Sequence, residues 1–229
     1  MSRAIFIQDL VELLLRLERG MQEFETPLPQ QTEESLITAV AAFGDEALPT
    51  LLTRFTDSFT NIGHGYIGHG YIAHGYIIEV LERIGNPAAV PALIAFHQNY
   101  GNYDSRAGAM SALRMLDTEQ AYTYMSEVLT RYALGNTRVV DSPLELVIAC
   151  RALGEWGDLR AIPPLMAAAQ IHHEPAGMPQ AAIQALGRYP AAQKFLAKFA
   201  SQNAPSDGGV TDEGTAHTSK DHDHQPEPE

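Results

Sequence analysis

The chain has 229 residues, is 45% hydrophobic and carries a formal net charge of −13. This length and apolar content support one domain with a real core, while the acidic balance argues against nucleic acid as a partner, because phosphate binding needs clustered lysine and arginine. No apolar run is long enough to cross a membrane. Because the N-terminus lacks a signal-peptide pattern and Cys150 is the single cysteine, we expect a cytoplasmic protein.

The first predicted element is an amphipathic helix over about residues 5–19. Its apolar residues recur at helical spacing and are Phe6, Leu10, Leu13, Leu14 and Leu17. Stacks of repeats need a terminal element that covers the exposed end of the core. We therefore interpret residues 1–31 as a capping helix followed by a linker.

Three later segments share one pattern, at residues 43–52, 84–93 and 156–165. In each segment an apolar residue is followed by Gly, then by Asp or Asn, a spacer, an aliphatic residue and Pro. A Leu follows the Pro directly or after one residue. A glycine ends a helix in the left-handed conformation, Asp or Asn caps the next helix, and proline fits the first helical turn. The pattern therefore predicts three copies of a helix–turn–helix unit.

Two weaker copies follow the same plan. Residues 112–122 keep Asp117 but lack the glycine and the proline, and residues 185–190 keep Gly187 and Pro190. At these motifs the chain resembles the HEAT-repeat superfamily, in particular the short repeats of phycobilin lyases and bacterial scaffold proteins. The resemblance implies an all-α fold over residues 32–200: an α-solenoid of about five HEAT-like helix–turn–helix repeats behind an N-terminal capping helix.

The spacing of the turns predicts two insertions. Successive turn positions at residues 44, 85, 116, 157 and 187 are 41, 31, 41 and 30 residues apart. The two longer intervals carry extra residues near 61–73 and 131–142. The first insertion is a Gly-His-Gly-Tyr-Ile pentapeptide written roughly three times. In a solenoid the connections between repeats lie along one edge, and insertions there often mark the binding face.

This inserted edge is the predicted partner-binding site. Its predicted contact residues are His64, Tyr66, His69, Tyr71, Tyr100, Tyr103, Arg138, His172 and His173. His74, in the third pentapeptide, falls on the same edge. The alternative is a neutral duplication, because loops tolerate added length. A second predicted surface consists of polar positions on the second helices of the repeats: Arg54, Asp57, Glu127 and Arg131.

The residues with reactive side chains are predicted to have structural roles. His97 falls where the other repeats have core residues, so we expect a buried histidine with a hydrogen-bond partner. Cys150 is expected in the core. Histidines spaced five residues apart would fan around a helix rather than converge on a metal ion. The sequence therefore predicts no catalytic residue, no metal ligand set and no cofactor.

Residues 201–229 form the predicted tail. This segment is acidic, rich in Ser, Gly and Pro and almost free of aliphatic residues, which predicts disorder. It also contains His217, His222 and His224 next to aspartates. Such a tract could bind a divalent metal weakly, although a solubilising tail is the simpler interpretation.

Three functions follow from these observations. We expect a protein–protein interaction or assembly scaffold rather than an enzyme, with another protein as partner. The resemblance to phycobilin lyases implies an alternative, a lyase or assembly factor for a tetrapyrrole-like chromophore. The second alternative is weak divalent-metal binding by the histidine-rich edge together with the tail.

Overall fold

The computed structural model describes residues 2–20, 30–60, 74–99, 103–135, 143–171 and 178–202. Within these ranges the chain is helical and forms no strand, so the all-α prediction is confirmed. The described α-helices are α1 (Arg3–Gly20), α2 (Gln30–Ala41), α3 (Leu48–Thr60), α4 (Gly75–Ile84), α5 (Val90–Asn99), α6 (Tyr103–Leu116), α7 (Glu119–Ala133), α8 (Pro143–Trp156), α9 (Ile162–Ala169), α10 (Met178–Leu186) and α11 (Gln193–Gln202).

The helices pack in two rows that alternate along the chain. In the first-helix row, α2, α4, α6, α8 and α10 each pack against the next member. In the second-helix row, α3, α5, α7 and α9 do the same. Helix α1 packs against α2, α3 and α4. The buried apolar side chains of both rows form one continuous core cluster, which makes the stacking of neighbouring helices the main source of stability.

The turns before α5 and α9 have the predicted design. Gly85 ends α4 with φ +68°, and the Asn86 side chain accepts a hydrogen bond from the Ala88 N–H at 2.8 Å. Gly157, with φ +73°, and Asp158 repeat this arrangement before α9. A left-handed glycine followed by a side-chain cap reverses the chain within a few residues.

Two other turns depart from the prediction. Asp45 was expected to cap, but its carboxylate accepts a hydrogen bond from the Asn86 side chain at 2.6 Å and so joins two successive turns. Between α6 and α7, Asp117 takes the left-handed position with φ +44°. Thr118 is the cap there and accepts from the Ala121 N–H at 3.1 Å. Aspartate can replace glycine because its short side chain tolerates this conformation.

The buried face of α1 is rotated from the predicted one. The residues that it buries are Ile7, Val11, Leu14 and Leu15. Phe6 and Leu13 belong to the apolar spacing noted in the sequence, yet they are 45% and 47% exposed. The helix is apolar over a wide arc, so several faces satisfy the spacing, and packing against α2, α3 and α4 selects one of them.

Some predicted boundaries also move. Helix α7 runs through Ala133 and α11 through Gln202, so residues 131–133 and 201–202 are helical. The first insertion at 61–73, residues 136–142 of the second and the tail from 203 lie outside the described residues. In the described part of the chain no helix combines the length and hydropathy needed to span a membrane.

Gly154 allows a close approach between α8 and α10. A Cβ atom at this position would lie 2.6 Å from Ala185 Cβ and 2.9 Å from Ala185 Cα. We expect Gly154→Ala to lower the free energy of unfolding by about 1–3 kcal/mol, because overpacking outweighs the better helix propensity of alanine. Urea denaturation midpoints would measure the change.

Gly108→Ala in α6 is the matched control. A Cβ there would meet Ile78 Cγ2 at 3.8 Å, which is an ordinary contact. Helix propensity then dominates, and this variant should be stabilised by up to about 1 kcal/mol. Changes of the same sign in both variants would contradict the close approach at Gly154.

Candidate functional site

Most of the predicted edge residues lie outside the described chain. These are His64, Tyr66, His69, Tyr71, Tyr100, Arg138, His172 and His173. Tyr103 is the first residue of α6. The contribution of these side chains to a binding site therefore stays a prediction.

The predicted second-helix residues lie in two separate pairs. Arg54 and Asp57 are on α3, where Arg54 faces Glu12 of α1 at 3.7 Å. Glu127 and Arg131 are on α7 and form an ion pair of 3.0 Å, with both side chains about half exposed. Helix α5 packs between α3 and α7. The structure thus brings Glu127 and Arg131 together but places them apart from the α3 pair.

A groove of about 400 Å³ runs beside Glu127 and Arg131, between α7 and α9. Its lining residues are Tyr122, Thr123, Ser126, Glu127, Thr130, Arg131, Arg160 and Pro164. Neither Tyr122 nor Arg160 was among the predicted site residues. No local motif could have found the groove, because its walls come from two helices that are distant in sequence.

Contacts between α7 and the turn before α9 hold the rim of this groove. The Arg160 guanidinium lies 4.6 Å from the centre of the Tyr122 ring. The same guanidinium donates to both carboxylate oxygens of Glu119, at 2.6 and 2.8 Å, and to Asp158. These contacts raise the pKa of Arg160 and lower the pKa values of Glu119 and Asp158. Arg160 is therefore a fixed positive charge beside an aromatic face.

A buried polar network joins α5, α6, α7 and α8. His97 Nδ1 lies 2.6 Å from the Tyr124 hydroxyl, and His97 Nε2 lies 3.0 Å from Glu145 Oε2. Arg106 Nη2 donates to the same carboxylate oxygen at 3.3 Å. We refer to His97, Arg106, Tyr124 and Glu145 as the polar network. Its existence confirms the predicted buried histidine with a hydrogen-bond partner.

Protonation of the network follows from its contacts. Burial raises the pKa of Tyr124 to about 12, so its hydroxyl stays protonated at neutral pH and can donate. His97 Nδ1 can accept this hydrogen bond, and an N–H on Nε2 can donate to Glu145 Oε2. Glu145 and Arg106 balance one another's charge.

The polar network is enclosed. His97 and Glu145 are 0% exposed, and Arg106 and Tyr124 are at most 8% exposed. A Tyr–His–Glu series can relay a proton, but a relay acts on a substrate only when one of its ends reaches that substrate. This arrangement orders four helices rather than offering a reactive group to solvent.

Cys150 is also enclosed. It is 0% exposed, and burial raises the pKa of its thiol to about 12. A thiol in this state is a poor nucleophile, since the thiolate is the reactive form. The prediction that Cys150 is a core residue is confirmed.

The buried polar residues lie close in sequence to three undescribed connections. In the described part of the chain the buried polar or charged residues are His74, His97, Ser105, Arg106 and Glu145. Each is within four residues of one of the undescribed connections at 61–73, 100–102 and 136–142. His74 packs with its ring 4.9 Å from the Phe96 ring and 6.0 Å from the Phe55 ring. His74 is thus a core residue and not part of an exposed contact surface.

No group of three or more histidine, cysteine or carboxylate side chains within the described ranges is arranged to hold a metal ion. The histidines of the pentapeptides before residue 74 and those of the tail fall outside these ranges. A scan against models of protein families and a search of curated proteins both find no match to this chain. The resemblance to HEAT repeats therefore stays a prediction that rests on the sequence motifs alone.

Proposed function

We propose that this protein is a binding module without catalytic activity of its own, built as a HEAT-like α-solenoid that docks another protein on its second-helix row. The observation that supports it best is the groove between α7 and α9. The repeated helix–turn–helix units and the two-row packing support the solenoid.

The chemistry of the groove suits protein recognition. Tyr122 and Arg160 are held rigidly by their mutual contact and by Glu119, so little entropy is lost when a partner binds. Arg131 stands on the rim with its side chain 55% exposed. Tyrosine and arginine are the residue types that most often contribute large binding energies. The groove therefore offers a partner side chain the guanidiniums of Arg131 and Arg160 and the side chains of Thr123 and Thr130, with the Tyr122 ring buried beneath Arg160.

Enclosure of the reactive side chains supports a role in binding rather than catalysis. His97 and Glu145 are held inside the polar network, and Cys150 stays a thiol at neutral pH. The inserted edge is retained as a second proposed contact region. Its support is the set of buried polar side chains near the described helix ends that flank these connections, which would fix those ends.

The first experiment is native mass spectrometry of the full-length protein purified gently from its own host. A stoichiometric protein partner is the expected result. A bound small molecule without a protein partner, or no bound component at all, would contradict the proposed function. With the partner in hand, its affinity for purified variants would locate the surface.

Two double variants form a matched pair. Glu127→Ala with Arg131→Ala removes an i,i+4 ion pair from the second-helix row, and Glu79→Ala with Arg83→Ala removes one from the first-helix row together with the contacts of Arg83 to Glu34 and Thr38. Exposed pairs of this kind contribute about 1 kcal/mol or less to folding, so both proteins should fold. We expect the first variant to bind the partner at least about tenfold more weakly and the second to bind normally.

Deletion of residues 63–72 tests the inserted edge separately. It removes two of the three pentapeptide copies. Loss of binding in this variant together with normal binding in the α7 variant would move the docking site from the second-helix row to the edge. Normal binding in both would remove both surfaces from the proposal.

A further inference from the structure

A second cleft, of about 340 Å³, lies on the opposite row, across α6, α8 and α10. Its lining residues are Arg114, Arg151, Glu155, Ala181, Gln184, Ala185 and Arg188. We call it the arginine cleft. Three guanidiniums and a single carboxylate meet there, although the whole chain carries a net charge of −13. The cleft is thus locally positive in a protein whose overall charge is negative.

The three arginines have different partners. Arg114 is held by Glu155 through two contacts, Nε to Oε2 at 2.5 Å and Nη2 to Oε1 at 2.8 Å. Within the described ranges the side chains of Arg151 and Arg188 make no hydrogen bond or ion pair, and both residues are exposed. The Arg114 contact neutralises the only carboxylate of the cleft. Two guanidinium groups therefore remain whose donors meet no acceptor among the described residues.

Tight packing of α8 against α10 forms the floor of the cleft. The small residues Ala181 and Ala185 line it, and the absence of a side chain at Gly154 lets Ala185 approach α8 closely. Larger side chains at these positions would fill the space between Arg151 on α8 and Arg188 at the end of α10. The Gln184 amide adds a further donor at the same place.

We propose that the arginine cleft binds a compact oxyanion, a small molecule that carries phosphate or carboxylate groups. Guanidinium groups recognise such groups through paired N–H donors. Charge interactions are screened beyond about 8 Å at physiological ionic strength. A small anion inside the cleft therefore senses the nearby arginines, whereas a long polyanion would also meet the acidic remainder of the surface. This site is independent of the docking groove on the second-helix row.

Isothermal titration calorimetry on the full-length protein tests the proposal. Pyrophosphate represents the phosphate class and citrate the carboxylate class, each titrated in metal-free buffer against sodium chloride of matched ionic strength. We expect saturable binding of one of the two probes, with one site per chain. Saturation by pyrophosphate alone would assign a phosphate ligand, and saturation by citrate alone a carboxylate ligand. Heats no larger than those of sodium chloride for both probes would overturn the proposal.

Substitutions locate the site. Arg151→Gln and Arg188→Gln change exposed side chains, so both proteins should fold, and each should weaken binding of the probe roughly tenfold or more. Arg16→Gln, on α1, changes a side chain that is 74% exposed and lines neither cleft; it is the matched control and should bind like the unmodified protein. Equal affinity in all three variants, or equal loss in all three, would show that the anion binds elsewhere or only through net charge and would overturn the assignment.

Discussion

Glu145→Ala should lower the free energy of unfolding by about 3–5 kcal/mol, the cost typical of breaking a buried ion pair. The carboxylate is 0% exposed and lies 3.0 Å from His97 Nε2 and 3.3 Å from Arg106 Nη2. The substitution removes the acceptor of the imidazole and the charge that balances a buried guanidinium. Urea denaturation followed by circular dichroism would measure the loss.

Glu155→Ala, on the same helix, is the control for that experiment. Glu155 also pairs with an arginine, Arg114, but both side chains are about one-third exposed. Solvent screens such a pair, so its loss should change the free energy of unfolding by about 1 kcal/mol or less. If both glutamate variants lost the same amount, enclosure of the polar network would add nothing to stability.

The protein should also lose stability as the pH falls from about 6.5 to about 4, and His74 should contribute about 2 kcal/mol of that loss by about pH 4.5. Burial lowers the pKa of His74 to about 4, from 6.5 for an ordinary histidine. The unfolded chain takes up this proton from about pH 6.5 downward, whereas the folded chain takes it up only near pH 4. Protonation in this window therefore favours unfolding.

His74→Leu isolates this contribution from those of other groups that titrate in the same window. Leucine cannot take up a proton and suits a position between the Phe55 and Phe96 rings. We measure how far the free energy of unfolding falls between pH 7 and about pH 4.5. This fall should be about 2 kcal/mol smaller in the variant than in the unmodified protein. The same pH dependence in both proteins would mean that His74 takes up its proton over the same pH range in the folded and the unfolded chain.

The polar network could be foreseen only in part from the sequence. Burial of His97 follows from comparison of equivalent positions in the repeats, because Phe55 and Val128 occupy them and are buried. Its partners do not follow, since Tyr124 and Glu145 are 27 and 48 residues further along the chain. They meet His97 because the end of α5 packs beside α7 and the start of α8, and neither spacing corresponds to a local motif.

The turn conformations could be predicted from the sequence where a residue type favours a single conformation. Gly85 and Gly157 take positive φ, and Asn86 and Asp158 cap the next turn, as their order along the chain predicts. The role of each aspartate was harder to predict, because aspartate can cap a helix, take the left-handed conformation or form a hydrogen bond to a neighbouring turn. The structure contains all three uses, including the left-handed Asp117.

Helical periodicity and the turn residues by themselves determined that the chain is all-helical, where most of its helices end, and that Cys150 and His97 are buried. Such preferences act over a few residues, so they can be read locally. Only the tertiary structure decided which face α1 buries, that His74 lies between aromatic rings, and that Arg151 and Arg188 line one cleft. Those outcomes depend on which distant helices pack together, because the burial of a side chain is set by its neighbours in space rather than in sequence.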